Sequence, residues 1–414
     1  MTIKIKGFDL HMNSIIFSIS SLSVLGNLQS DELIILLKKF VSALELPNAV
    51  EAYSRVVALL CNHGSSLSDY IYNRAIYDDN VFMRHYANRQ DKIDESIENA
   101  VLHDIESLSG IAGITSKILK KVMKERFPDF EAEIDQLPDF NSGEWKYTID
   151  CFRDFAIENG YGIYAKHHAF IFNGRTIIPV KSPDAIRLSD LKKYDVQRRK
   201  IVENTLCLLA GKPANNVLLY GDRGTGKSST VKALGNEFAN EGLRIIGIAK
   251  ENLPYLGDLI ELLENTGLKF IIFIDDLTFN EDDDSFGALK AILEGSLVPL
   301  PSNMAIYATT NRRHLIKETF TAREGDEVHR ADTIDESLSL SDRFGILVTF
   351  LLPAKDEFLQ IVSAIAQDRG IDIDENRLWD GAERFALMKS GRTPRLAKQY
   401  IDYVQSRIAL GLDI

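Results

Sequence analysis

Residues 217–230 read VLLYGDRGTGKSST, and this stretch decides the fold of the chain. Four apolar residues at 217–220 predict a short buried strand. Residues 221–228 then match the pattern G-x-x-x-x-G-K-[ST] at every fixed position, and residues 231–238 follow a helical pattern. The order strand, glycine loop and helix is the context in which this pattern binds phosphate groups. A glycine turn that matches by chance is the alternative, which the two flanks disfavour.

The glycines of this loop allow the backbone to curl, so that its N–H groups point at phosphate oxygens. The N-terminus of the following helix adds partial positive charge. Lys227 would reach the β- and γ-phosphates of a nucleotide, and the Ser228 hydroxyl would bind Mg²⁺. The candidate nucleotide-binding residues are Gly221, Asp222, Arg223, Gly224, Thr225, Gly226, Lys227, Ser228 and Ser229.

Two later apolar runs also end in polar residues. Residues 270–274 are all apolar and lead into Asp275 and Asp276, which is typical of a parallel strand buried on both faces. Carboxylates at the C-terminal end of such a strand lie where open α/β sheets bind ligands. Asp275 would hold Mg²⁺ through water, and Asp276 would orient or deprotonate the attacking water. The strand predicted at 304–308 likewise leads to Asn311, which would hold that water or the γ-phosphate; a strand-end turn residue is the alternative.

The composition limits the class of protein. The chain has 414 residues, 45% of them hydrophobic and 26% charged, as in ordinary globular proteins. A net charge of −12 argues against binding nucleic acid or an anionic membrane over the whole surface, although a local basic groove stays possible. The three cysteines are far apart, so neither a disulfide framework nor a zinc site is expected, and the cytoplasm is the expected compartment. The apolar stretch near the start contains polar residues, and we interpret it as folded chain rather than a signal peptide.

Residues 186–411 resemble AAA+ ATPases, and in particular a bacterial subfamily of predicted ATPases labelled DUF815. The stretches that carry the resemblance are IRLSDLKKYDVQ, LAGKPANNVLLYGDRGTGKSS, FIDDLTF, ALKAILEGSL, YATTNRRHL, LSDRFG and SGRTPRLAKQYIDY. The resemblance implies ATP and Mg²⁺ as ligands, a Walker A loop at Gly221–Ser228, Walker B acids at Asp275 and Asp276, and sensor 1 at Asn311.

The resemblance also implies roles for arginines. Arg343 corresponds to the arginine finger, which would act on the ATP of a neighbouring subunit, so a homo-oligomer is expected. A surface arginine paired with Asp342 is the alternative. Arg395 corresponds to sensor 2, with Arg392 as a rival for that role. Asp276 departs from the general pattern, because most AAA+ proteins have glutamate there; the side chain is about 1.5 Å shorter, and hydrolysis is still expected although it could be slow.

These features predict an α/β fold. A mostly helical N-terminal region and a β-hairpin come first, and a P-loop AAA+ αβα nucleotide domain with a C-terminal helical lid follows them. Ser30 is predicted to cap a helix in the N-terminal region, whose role is unknown. Asn173-Gly174 predicts the hairpin, which would bridge the helical region and the nucleotide domain. The predicted divisions are 1–160 (helical), 161–185 (hairpin and linker), 186–353 (nucleotide-binding) and 354–414 (lid).

The favoured function is Mg²⁺-dependent ATP hydrolysis that remodels an unknown partner bound through the N-terminal region. An ATP-gated binding scaffold with slow or no turnover is one alternative. Another is a nucleic-acid-associated ATPase similar to helicase loaders, with Arg312 and Arg313 as candidate phosphate contacts. Tyr255-Leu256-Gly257 could form the pore loop of an unfoldase, but a plain helix start with Tyr255 in the core is preferred. No guanine motif N-K-x-D follows Asp276, and residues 186–197 are the expected base pocket.

Overall fold

The computed structural model describes residues 8–88, 92–264, 266–279, 284–294, 300–311, 343–389 and 391–413. The chain divides into two compact units, Met1–Lys166 and His167–Ile414. Within the described residues, no helix is long and apolar enough to cross a membrane.

The first unit is helical. Its side chains form one hydrophobic core that includes Leu33, Phe40, Tyr53 and Val56, each at most 1% exposed. The helices are α1 (Phe8–Ser20), α2 (Glu32–Ser42), α3 (Leu46–His63), α4 (Leu67–Ile76), α5 (Val81–Ala87), α6 (Glu95–Ala112), α7 (Ser116–Arg126), α8 (Glu131–Asp135), α9 (Ile149–Asn159) and α10 (Gly162–Lys166).

The cap of α2 differs from the sequence-based prediction. Asp31, not Ser30, is the N-cap residue, and its carboxylate accepts a hydrogen bond from the N–H of Leu33 at 2.9 Å. Ser30 instead ends a short 3₁₀ helix and donates its hydroxyl to the carbonyl of Asn27. Asp31 has the extended backbone that an N-cap requires, so it satisfies the free N–H groups of the first turn.

The second unit contains a seven-stranded sheet within its described residues, in the order β2-β1-β4-β5-β6-β3-β7. Among the described strands, the β1–β2 pair alone is antiparallel. Helices α11 and α12 pack on one face of the sheet, where they share a core with alternate residues of the strands. The strands are β1 (Ala169–Phe172), β2 (Ile177–Pro179), β3 (Val217–Gly221), β4 (Leu243–Ile248), β5 (Lys269–Ile274), β6 (Met304–Thr310) and β7 (Ile346–Phe350). The helices before β7 are α11 (Asp195–Leu209), α12 (Lys227–Glu237), α13 (Leu256–Glu264) and α14 (Asp284–Leu293).

The predicted hairpin is present, but it does not stand apart as a bridge. Asn173 and Gly174 form its turn, with Gly174 at a φ of 90°. Strand β1 also pairs in parallel with β4, through Phe170↔Ile246 and Phe172↔Ile248. The buried Phe170 and Phe172 side chains explain this, because they gain a sheet neighbour and a core that an isolated hairpin would lack. The hairpin is therefore one edge of the main sheet.

Three helices follow the sheet: α15 (Lys355–Asp368), α16 (Glu375–Met388) and α17 (Pro394–Ala409). The sequence predicts helical segments at 355–368, 375–388 and 394–410; the first two agree with the structure, and the third ends one residue earlier than predicted. These helices share a small core of their own that includes Phe358, Val362 and Ile401. Thr393 caps α17 by accepting the N–H of Leu396, and Pro394 opens the helix where its missing N–H costs nothing.

Candidate nucleotide-binding site

The glycine loop between β3 and α12 is tied to the end of β7. Gly221 has a φ of 133°, and a Cβ atom there would lie 2.0 Å from the carbonyl oxygen of Phe350. The N–H of Asp222 donates to that same carbonyl at 2.9 Å, and the Asp222 carboxylate accepts the N–H of Leu352 at 2.9 Å. Gly224 and Gly226 also have positive φ angles, of 77° and 97°. The loop curls as the sequence predicts, and it does so at positions that favour glycine.

Lys227 lies inside this curl. Its Nζ donates to the carbonyls of Gly221 and Asp222, at 2.8 and 2.7 Å, and to Oδ1 of Asn311 at 3.1 Å. Burial lowers the pKa of the Lys227 ammonium, while the carboxylates of Asp222, Asp276 and Asp275 act in the opposite direction. The amine is thus held by oxygen atoms at the position from which it could reach a bound phosphate.

The two acids and Asn311 come together because β5 and β6 are neighbours. Ile274 is paired with Ala308, so the residues that follow each of them lie side by side. Oδ1 of Asp275 accepts the hydroxyl of Ser228 at 2.5 Å, which connects the acid to the first turn of α12. Nδ2 of Asn311 donates to Oδ1 of Asp276 at 2.6 Å. Loop, acids and amide therefore form one hydrogen-bonded group at the C-terminal edge of the sheet.

The oxygen atoms of this group fit a magnesium ion. Mg²⁺ binds hard oxygen ligands and is usually held by one or two carboxylates together with substrate phosphates. The Ser228 hydroxyl and the Asp275 carboxylate are such ligands, and they lie in direct contact beside the phosphate loop. These two residues could hold Mg²⁺ with few protein ligands, as phosphate-binding sites commonly do.

A cavity of about 1020 Å³ opens over this group. On one side the segment before α11 lines it through Ile186, Leu191 and Lys192, all within the region predicted as the base pocket. On the other side α15 contributes Ile361 and Ile365. The predicted site residues that line the cavity are Arg223, Gly224, Thr225, Gly226, Lys227, Ser228, Ser229, Asp275, Asp276, Asn311 and Arg395.

The two sensor 2 candidates lie in different environments. Arg395 lines the cavity, and its backbone N–H donates to the carbonyl of Gly224 at 3.2 Å, so the start of α17 contacts the glycine loop. Arg392 is absent from the cavity wall and makes a bidentate pair with Glu383, at 2.9 and 2.8 Å. The geometry therefore favours Arg395 for contact with a nucleotide.

Arg343 does not line the cavity of its own chain. Its guanidinium lies 3.3 Å from Glu294, and 46% of its side chain is exposed. Asp342, the alternative partner considered for it, lies outside the described residues, as do Arg312 and Arg313. An arginine finger that acts between subunits would be exposed in the single chain, so its role stays a prediction.

The prediction of a helix start with Tyr255 in the core is correct only in part. A 3₁₀ helix at Lys250–Tyr255 leads into α13 at Leu256, so the helix start is correct. However, Tyr255 is 50% exposed and does not lie in the core. Its ring lies against the hairpin turn, since a Cβ atom on Gly174 would lie 3.2 Å from Cδ2 of Tyr255. The ring therefore contacts the hairpin turn and leaves half of the residue's surface exposed.

Two residues of the site were not predicted. Thr309 donates its hydroxyl to Oδ1 of Asp275 at 2.6 Å. Asn236, on α12, donates to the carbonyls of Asp184 and Ile186, both at 2.7 Å, and so anchors the segment that lines the cavity. The contact of Thr309 follows from the register of β5 against β6, which the sequence does not record, and no sequence signal marks Asn236.

The sheet order, the glycine loop after β3 and the acids after β5, with β6 between these two strands, define a P-loop protein of the AAA+ class. A family model described as "Protein of unknown function (DUF815)" matches residues 165–408, which is more than half of the chain. The chain belongs to this family, and the resemblance inferred from its motifs is confirmed.

Curated relatives of the chain carry the name Holliday junction branch migration complex subunit RuvB. The protein of Desulfosudis oleivorans is 28% identical over 232 residues, 54% of this chain and 63% of the relative. That of Ehrlichia canis is 27% identical over 199 residues, 47% and 55% of the two chains. The chain thus spans less than two thirds of these relatives. A solved variant of Thermotoga maritima RuvB is similar with a TM-score of 0.38 and 17% identity, over 55% of this chain and 67% of that chain.

Proposed function

We propose that the protein binds ATP together with Mg²⁺ and hydrolyses it in the cavity over the glycine loop. One observation carries the proposal. Lys227, Ser228, Asp275, Asp276 and Asn311 come from three separate segments of the chain and meet in one hydrogen-bonded group at the wall of that cavity. Phosphate, metal and attacking water each require one of these side chains.

Each of these residues would have its own role in ATP binding and hydrolysis. The loop N–H groups and Lys227 would hold the phosphates, and Ser228 and Asp275 would hold the metal. Bound Mg²⁺ would neutralise negative charge on the β- and γ-phosphate oxygens. Asp276 would orient the attacking water and accept its proton, while Asn311, which already bridges Lys227 and Asp276, would fix the position of the Asp276 carboxylate.

We further propose that ATP binding is coupled to movement of the helices that follow the sheet. Ile361 and Ile365 of α15 and Arg395 of α17 face the same cavity as the glycine loop. A nucleotide that contacts both the loop and these helices would favour the arrangement in which both sets of contacts form. Remodelling of a partner through the first unit is the use that this coupling would serve.

Replacement of Lys227 tests the proposal. Lys227→Ala should abolish ATP binding, because no other loop side chain supplies the buried ammonium. Lys232→Ala is the matched control, since Lys232 lies on the same helix, α12, but is exposed. Binding of a fluorescent ATP analogue and phosphate release should be lost in the first variant and retained in the second. Equal ATP affinity in the two variants would contradict the proposal.

An ATP-gated scaffold is the second candidate, and one observation favours it. The Asp276 side chain, already one methylene shorter than that of glutamate, accepts a hydrogen bond from Asn311 at 2.6 Å. If this hydrogen bond persists with ATP bound, the carboxylate would be held back from the water. Slow or absent turnover with tight ATP binding would then be the property of the wild-type protein.

A further inference from the structure

Thr309 holds the acidic turn at the end of β5 from the neighbouring strand. The residue lies near the end of β6 and is 1% exposed. Its hydroxyl donates to Oδ1 of Asp275 at 2.6 Å and accepts the backbone N–H of Asp276 at 2.9 Å. Its carbonyl accepts the N–H of Leu277 at 2.7 Å. One residue therefore fixes three consecutive residues of the turn.

The directions of these hydrogen bonds are determined by the groups themselves. A backbone N–H can only donate, so the hydroxyl oxygen of Thr309 must accept from Asp276. The single hydroxyl proton is then available to the Asp275 carboxylate. Threonine or serine can make both bonds, whereas valine, of the same shape, can make neither.

The backbone of Asp276 shows why such an anchor is needed. Asp276 has a φ of 54°, in the left-handed region that residues with a side chain rarely adopt. This conformation costs about 1–3 kcal/mol and persists only when the surroundings impose it. The hydrogen bond from its N–H to Thr309 is one of the contacts that impose it.

The carboxylate of Asp275 is held in the same way. Its Oδ1 accepts both the Ser228 and the Thr309 hydroxyls, which leaves Oδ2 outside this pair of hydrogen bonds. If the Ser228 hydroxyl instead held a metal ion, the Thr309 hydroxyl would still donate to Oδ1. The orientation of the metal-binding carboxylate would then depend on the Thr309 hydroxyl.

We infer that Thr309 is a positioning residue of the magnesium site: its hydroxyl orients Asp275 toward the metal and holds Asp276 in the conformation required for catalysis. The inference rests on the proposed function, since it assigns a role at the same site. A buried threonine that only stabilises the sheet would make the same contacts, so the two roles must be separated by a measurement that depends on Mg²⁺.

The test compares ATP binding with and without Mg²⁺ in the full-length protein. Thr309→Val should bind ATP in EDTA as the wild type does. The Mg²⁺ concentration for half-maximal ATP binding and turnover should rise about 10–100-fold, the usual effect of losing a residue that orients a metal ligand. Thr309→Ser, which keeps the hydroxyl, should restore the wild-type requirement.

A matched control removes a buried hydroxyl elsewhere in the same unit. Thr205, fully buried on α11, donates to the carbonyl of Ile201 at 2.9 Å and hydrogen-bonds the Tyr307 hydroxyl at 2.9 Å, so its hydroxyl is engaged within the core and not by Asp275 or Asp276. Thr205→Val should change stability without changing the Mg²⁺ requirement. An equal change in both valine variants would overturn the inference, as would an unchanged requirement in Thr309→Val.

Two further outcomes are also decisive. If Thr309→Val does not fold, the comparison is made between Thr309→Ala and Thr309→Ser. A Mg²⁺ requirement that is raised in Thr309→Ala but not in Thr309→Ser supports the inference. Equal requirements in these two variants overturn it. A wild-type protein that binds no ATP would overturn the proposed function and this inference together. If the wild-type protein binds and hydrolyses ATP but Thr309→Val has the wild-type Mg²⁺ requirement, the inference is overturned and the proposed function stands.

Discussion

Asn311 links the cation and the acid of the candidate site at the scale of single residues. Its Oδ1 accepts from Lys227 and its Nδ2 donates to Asp276, so the amide is oriented by two partners of opposite charge. The sequence could predict the residue types at this edge, because apolar strands end in polar residues there. It could not predict Thr309, because the role of that hydroxyl follows from the register of β5 against β6.

Gly221 gives a prediction at this scale. Gly221→Ala should destabilise the second unit by about 3 kcal/mol and abolish ATP binding, because its Cβ atom would overlap the carbonyl of Phe350. Thermal unfolding and nucleotide binding measure the two effects.

Gly257→Ala is the control for this substitution. Gly257 lies on α13 with no heavy atom within 4 Å of an added Cβ, so alanine should change stability by no more than about 1 kcal/mol. A Gly221→Ala protein as stable as wild type would show that the loop does not have the described geometry.

Helix α17 is the element that connects the C-terminal helices to the glycine loop. Its first turn lies against Gly224, where Arg395 donates through its backbone N–H. The starts of α15 and α16 could be predicted because Pro353 breaks the preceding strand pattern and Asp374 is a helix-capping residue type. The pairing of β1 with β4 could not, because about seventy residues of chain separate the two strands and no local pattern records their contact.

The two arginines near this contact give the prediction for the element. Arg395→Ala should lower ATP affinity or turnover about tenfold, because a charge-assisted contact with the phosphates would be lost. Arg392→Ala should leave ATP affinity unchanged, because its guanidinium is engaged by Glu383 away from the cavity. Titrations with the ATP analogue and phosphate release would measure both. The reverse result would assign sensor 2 to Arg392.

The whole molecule consists of two units, each with its own hydrophobic core. The core of Met1–Lys166 is formed by helices, and that of His167–Ile414 by the sheet together with α11 and α12, with a smaller core in α15, α16 and α17. The helical character of the first unit could be predicted from its periodicity. Its role could not, because partner recognition depends on surface groups that follow no periodic pattern.

Arg343 gives the prediction for the assembly. If it completes the site of a neighbouring subunit, turnover per subunit should rise with protein concentration, and Arg343→Ala should remove that rise while ATP binding persists. Arg55→Ala is the control, because Arg55 is half-exposed and pairs with Glu32 at 3.4 Å in the first unit, much as Arg343 pairs with Glu294. Turnover that is independent of concentration and of Arg343 would mean that each subunit works alone.

Phosphate release by Asp276→Asn tests the central claim most directly. Asparagine has nearly the same shape and can still accept the hydrogen bond from Asn311 through its Oδ1, so MgATP should bind as in the wild type. It cannot accept the proton of the attacking water, so the wild-type protein should release phosphate and Asp276→Asn should release none. Phosphate release at the wild-type rate by pure Asp276→Asn protein would contradict the assignment of this site as the centre of ATP hydrolysis.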